Sequence, residues 1–169
     1  MELSLLHPKV VHFPMALAIL MPLLTAGLLL AWWRGWLPRR SFVIALLFQL
    51  VLGVTSFAAL QTGEVDEEVA ERVVPHEAIE EHEEAAEQFF WAVVIVLGVF
   101  VASGAIRKES IAKGTAVAAL VGTVVVAGLG YRVGEAGGDL VYEHGAAEAF
   151  QPGARAPQDA ADGVDRDSQ

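Results

Sequence analysis

The stretch MALAILMPLLTAGLLLAWW, Met15 to Trp33, carries no charged residue from end to end. A helix rising about 1.5 Å per residue needs roughly 20 such residues to cross a hydrocarbon core about 30 Å thick. This run is therefore long enough to span a bilayer, and its apolar character reaches back to Phe13. Three further apolar stretches of similar length follow, at 41–60, 89–106 and 115–133. In lipid every backbone N–H and C=O must find its partner inside the segment, which favours helices over open strands. A soluble bundle would place a polar stripe along each helix, and these stretches have none. The fold class is thus all-α: an integral membrane four-helix bundle over residues 1–145.

Composition agrees with that division. Hydrophobic residues make up 54% of the 169-residue chain, yet the formal charge is −10, so apolar and acidic residues must occupy separate blocks. The leader MELSLLHPKVVHF has no cluster of positive charges, and AWWRGW (31–36) offers no small-residue cleavage site. The first span is expected to stay in the mature protein rather than leave as a signal peptide. The absence of cysteine excludes disulfides, thiolate metal sites, covalent c-type haem attachment and cysteine-held iron–sulfur clusters. Any metal or cofactor must be held by His, carboxylate, Met or backbone.

Six of the eleven Lys and Arg residues fall in two short loops: Arg34, Arg39 and Arg40 after the first span, and Arg107, Lys108 and Lys113 after the third. The positive-inside rule assigns both loops to the cytoplasm, with Trp32, Trp33 and Trp36 as an interfacial aromatic belt. Both termini and the loop between spans 2 and 3 then lie on the outer, periplasmic side. That loop forms an acidic outer hairpin at about 61–88, with eleven acids against the single base Arg72.

On this map all five histidines, His7, His12, His76, His82 and His144, are outside. Pro75 suits the first turn of a helix, so the third helix is expected to run unbroken from about Pro75 through Ile106, its first turns above the lipid. Ile79, His82, Ala86, Phe89 and Val93 recur at three-to-four-residue steps, which places His82 on the inward face. His76 is turned about 120° away, towards Glu80 and solvent. HEAIEEH (76–82) spaces its histidines by six and is not a zinc-protease helix. Ile79 stands where a ferritin-like di-iron helix would need Glu.

In HPKVVHFP (7–14), Pro8 is acceptable at a helix start, while Pro14 removes the N–H that would bond the Val10 carbonyl. The first helix either begins at Phe13 or starts at Pro8 and bends near His12. Both alternatives bring His12 to the bilayer surface, and His12 with His82 is the expected ligand pair, followed by His7 and His144. Gly130, Gly134 and Gly138 share one side of the last helix, where another backbone or a flat group can approach. DLVYEHG (139–145) is an apolar patch able to fold back and carry His144 towards the other histidines. Residues 146–169, rich in Ala, Asp and Pro, are expected to form a disordered acidic tail. Gln49 is the most polar residue inside a span, and a helix–helix hydrogen bond accounts for it better than a transport path does.

HPKVVHFP at the first span, QTG (61–63) after the second and GGDLVYEHG (137–145) after the fourth together resemble the bacterial membrane family DUF2231. The resemblance spans residues 7 to 145 and rests on His7, Pro8, His12, Pro14, Thr62, Gly63, Gly137, Gly138, Tyr142, His144 and Gly145. It implies a four-span protein of the bacterial inner membrane, with relatives joined to cytochrome c or Rieske-type domains, and so a link to electron transfer. Two functions are expected from this reading. One is a membrane cytochrome, with haem b held by paired imidazoles and the glycine stripe admitting the porphyrin. The other is a non-haem site for Cu, Zn or Fe, or a cofactor-free anchor subunit of a redox complex. The implied partners are the lipid bilayer and a periplasmic or membrane electron-transfer protein. A homo-oligomer is compatible with the sequence, and no nucleic-acid partner is expected.

Overall fold

Residues 6–149 are described in the computed structural model. Helix α1 spans His7–Val10 and α2 spans His12–Trp33, with Val11 between them still in helical conformation. The two form one irregular membrane-length helix, His7–Trp33. Pro8 sits in the first turn of α1, where its missing N–H costs nothing. The interruption falls ahead of Pro14, which has no N–H to offer Val10, while Met15 still bonds the Val11 carbonyl at 3.2 Å. Of the two sequence alternatives, the structure adopts the one that starts near Pro8 and breaks by His12.

A turn and a short 3-10 segment, Arg39–Phe42, lead into α3, Val43–Ala70. Gly35, at φ +72°, ends α2, and the Trp36 N–H reaches back to the Ala31 carbonyl at 2.9 Å. Glycine is needed there because the left-handed conformation crowds any Cβ. Helix α4 then runs unbroken from His76 to Ala105, and α5 from Glu109 to Tyr142. At about 1.5 Å per residue, α3, α4 and α5 exceed the thickness of a hydrocarbon core. Residues 61–70 and 76–88 therefore project beyond the apolar stretches as an ordered helical hairpin.

The helices pack in a closed ring, α2 against α3, α3 against α4, α4 against α5 and α5 back onto α2. Buried positions recur every three or four residues: Pro14, Ala18, Met21, Thr25, Leu29 and Trp32 on α2, and Ala112, Ala116, Ala119, Thr123, Val126 and Gly130 on α5. The seam is narrow. Only 28% of the most apolar window of each long helix is covered by protein, leaving Ile19, Leu23, Val54, Ile95 and Val121 mostly exposed. Apolar surface on this scale suits lipid contact and not water. Inside the bundle, Gln49 is fully buried and its Nε2 donates to the Val93 carbonyl at 3.0 Å, linking α3 to α4 as expected.

Two features differ from the sequence reading. The patch 139–145, expected to fold back as a unit, is helical over most of its length, because α5 runs through Tyr142 and the chain turns only at Gly145, φ +68°. The first residues of the segment expected as a tail, 146–149, are helical. Ala146–Ala149 forms a short helix, α6, anchored because Ala146 is buried with Val74 and Ile79 in a small second apolar cluster. The rest of the expected tail, 150–169, lies outside the described residues.

Candidate functional site

At the end of the bundle opposite the basic loops, α1, α3, α4 and α5 bring together polar side chains that are distant in sequence. His7 stands in the first turn of α1 and packs on α3. Its Nδ1 lies 2.9 Å from the Ala59 carbonyl and 3.2 Å from Thr62 Oγ1. A carbonyl only accepts, so neutral His7 carries its proton on Nδ1 and keeps the Nε2 lone pair free. Thr62 itself donates to the carbonyls of Ala58 and Ala59, at 3.0 Å each. Anchoring one imidazole nitrogen on a backbone carbonyl is how proteins orient a metal-ligating histidine.

The second imidazole is His82, half-buried on α4 one turn after Ile79. The two rings stand 6.4 Å apart between centroids and nearly perpendicular, at 87°. His82 Nδ1 is buried and has no hydrogen-bond partner among the described residues. Loss of water holds this imidazole below the usual histidine range; the nearby His7 charge adds to the effect, and the Val133 backbone opposes it. Burial thereby favours the neutral form of His82, which offers a lone pair.

Glycines stand against both rings. A Cβ on Gly63 would lie 3.3 Å from His7 Cε1, and one on Gly137 would lie 3.0 Å from His82 Cε1. Asp66, one turn beyond Gly63 on α3, is only 8% exposed, and its Oδ1 is buried without a hydrogen-bond partner. Burial raises its pKa above the ordinary carboxylate range, while the His7 charge pulls it back. Glu83, on the solvent side, is also raised, first by partial burial and then by repulsion from Glu67 and Glu87.

The histidine brought to His82 is His7, while His12 lies on an exposed face. The break before His12 turns that residue outward, and α1 delivers His7 inward instead. His144 is half-buried in the turn after α5, with no ring contact to His7 or His82 among the described residues. His76 is exposed and lies 3.6 Å from Glu71. The glycine stripe serves as a packing seam over two of its three members. Cβ atoms on Gly130 and Gly134 would meet Phe89 at 3.3 Å and Met15 at 2.9 Å, whereas Gly138 faces open space. Sequence reasoning missed Asp66, which hides among eleven acids; the spacing of Ala59, Thr62 and Asp66 on one helical face is the signal that singles it out.

Four membrane-length helices with a polar cluster closed under one end define a small integral membrane protein. The chain belongs to the DUF2231 family, described as predicted membrane proteins, which matches residues 4–149. No curated protein and no solved structure matches it.

Proposed function

We propose that the cluster binds one transition-metal ion through His7 and His82, and that the protein is a membrane redox carrier passing single electrons to a partner at its acidic face. The observation that carries this reading is the 6.4 Å spacing of the two imidazoles. Two metal–nitrogen bonds of about 2 Å each, set in line, put ring centres roughly 6 Å apart. The Nδ1 anchor of His7 on Ala59 orients its ring for ligation, and burial of His82 favours the neutral imidazole that can ligate.

Haem b satisfies the same axial spacing, but a porphyrin also needs a flat slot around that axis. The neighbouring seam is filled by Phe89, Ala18 and Met15 against Gly130 and Gly134. The residues therefore fit a bare ion better than a porphyrin. No three His, Asp or Glu side chains already converge on one point among the described residues, so Asp66 becomes a third ligand only by turning its carboxylate. Imidazole with carboxylate suits iron, copper or zinc, and of these iron and copper support electron transfer.

The test is metal analysis of the purified full chain, with a visible spectrum before and after dithionite. One iron or copper per chain is expected, lost in His7→Ala and in His82→Ala and kept in His12→Ala and His76→Ala. A Soret band with a sharp reduced α-band would transfer the same two ligands to haem b. Protein grown with ample haem and metal that carries neither would overturn both forms and leave a cofactor-free anchor subunit.

A further inference from the structure

The opposite end of the bundle holds a second feature, independent of the histidines. Between the α2–α3 and α4–α5 loops lies a cleft of about 650 Å³, lined by Trp32, Trp36, Leu37, Arg39, Arg107 and Glu109 among others. The two loops and the start of α5 carry Arg34, Arg39, Arg40, Arg107, Lys108 and Lys113 against the single acid Glu109. Lys113 pairs with Glu109 at 2.8 Å, so the one negative charge on the cleft wall is already matched. Arg39 spans the two loops, its Nη2 donating to the carbonyls of Ser103 at 2.6 Å and Gly104 at 3.2 Å, and to Ile106. One nitrogen is used in this way; a guanidinium has further N–H donors, and its charge remains beside the cleft. Arg107 lines the cleft from the exposed α4–α5 loop.

From these observations we infer that the cleft binds the phosphate headgroup of an anionic phospholipid. Three features select a lipid over a free phosphate. The cations sit at the level where the spanning helices end, the depth of headgroup phosphates. The cleft wall is part indole and part aliphatic, with Trp36 69% and Leu37 39% exposed. Trp33, Val43 and Ile111, next to it in the chain, present further exposed apolar surface along which acyl chains can lie. An inorganic anion would use the charges and leave all this apolar surface in water. Arginine beside an interfacial indole, as Arg34 lies 5.7 Å over Trp36, offers both charge-assisted hydrogen bonds and an apolar shelf.

The test uses the full chain in neutral detergent micelles, titrated with phosphatidylglycerol or phosphatidylcholine carrying brominated acyl chains, which quench tryptophan on contact. Three of the four tryptophans lie in or beside the cleft region, at 32, 33 and 36. Phosphatidylglycerol should quench at a lower mole fraction than phosphatidylcholine. Arg107→Gln and Arg34→Gln should each weaken the phosphatidylglycerol response about fivefold, the loss expected of one interfacial cation, with helix content unchanged by circular dichroism. Arg39→Gln is unsuitable because it also releases the end of α4. Inorganic phosphate at matched ionic strength should not compete. Equal quenching by the two lipids in the wild-type protein would overturn the inference without recourse to any variant. Competition by inorganic phosphate as effective as by the lipid would overturn the lipid as the source of the phosphate.

Discussion

His7 and His82 owe their meeting to residues that carry no chemistry of their own. The glycines at 63 and 137 remove the Cβ atoms that would press on the two rings, and the Gly137 side is the tighter, at 3.0 Å to His82 Cε1. A separation of 3.0 Å between carbons is well inside van der Waals contact, so a branched side chain at 137 must displace the imidazole. The neighbouring Gly138 provides a matched control, since a Cβ there meets nothing within 4 Å. Both positions are in the same turn of α5, and glycine-to-valine changes helix propensity alike at each. Gly137→Val should therefore lose bound metal while Gly138→Val retains it, with comparable thermal stability, as checked by metal analysis and a melting curve. Metal content falling equally in both variants would remove the packing argument for Gly137.

At the scale of elements, the closest approach in the bundle is not on the stripe at 130, 134 and 138. A Cβ on Gly122 would stand 2.6 Å from Val96 Cγ2, where α5 crosses α4 in mid-span. Val96 is buried on a tightly packed seam, so Gly122→Ala should cost about 1–3 kcal/mol as overpacking. Val96→Ala in the same chain should recover most of that cost, because the clash is with one methyl. A double-mutant cycle of thermal or denaturant stability measures the coupling, and additive effects would show that the helices move apart instead. The spans themselves were legible in the sequence from their length and lack of charge, and His82 and Phe89 from their three-to-four-residue spacing. The partner of His82 was not legible, because Pro14 permits either a late start or an early break, and the choice decides whether His7 or His12 turns inward. Asp66 was hidden for a different reason: what marks it is its burial, and burial depends on where α1 docks.

Across the whole molecule, charge is divided between the two ends more sharply than the loops suggest one at a time. Arg39 ties the α2–α3 loop to the carbonyl end of α4, so the six cations of the two loops and the start of α5 form one basic end rather than two separate ones. The hairpin of α3 and α4 gathers eleven acids at the other end, against the single base Arg72 within the hairpin itself. Orientation responds to Lys and Arg in short loops close to the spans, while acids have little influence. The basic end is thus predicted to remain in the cytoplasm, and an even number of spans returns both termini to the far side. An alkaline phosphatase fused after Gln169 should be active, and one inserted at Gly35 inactive, with the opposite pattern for a fluorescent protein that matures only inside. The same experiment bears on the proposed chemistry, because His7, His82 and Asp66 share the acidic end. If that end is outside, the metal and the electron partner are periplasmic; the reverse pattern would place the cluster in the reducing cytoplasm and remove the reason to seek a periplasmic partner.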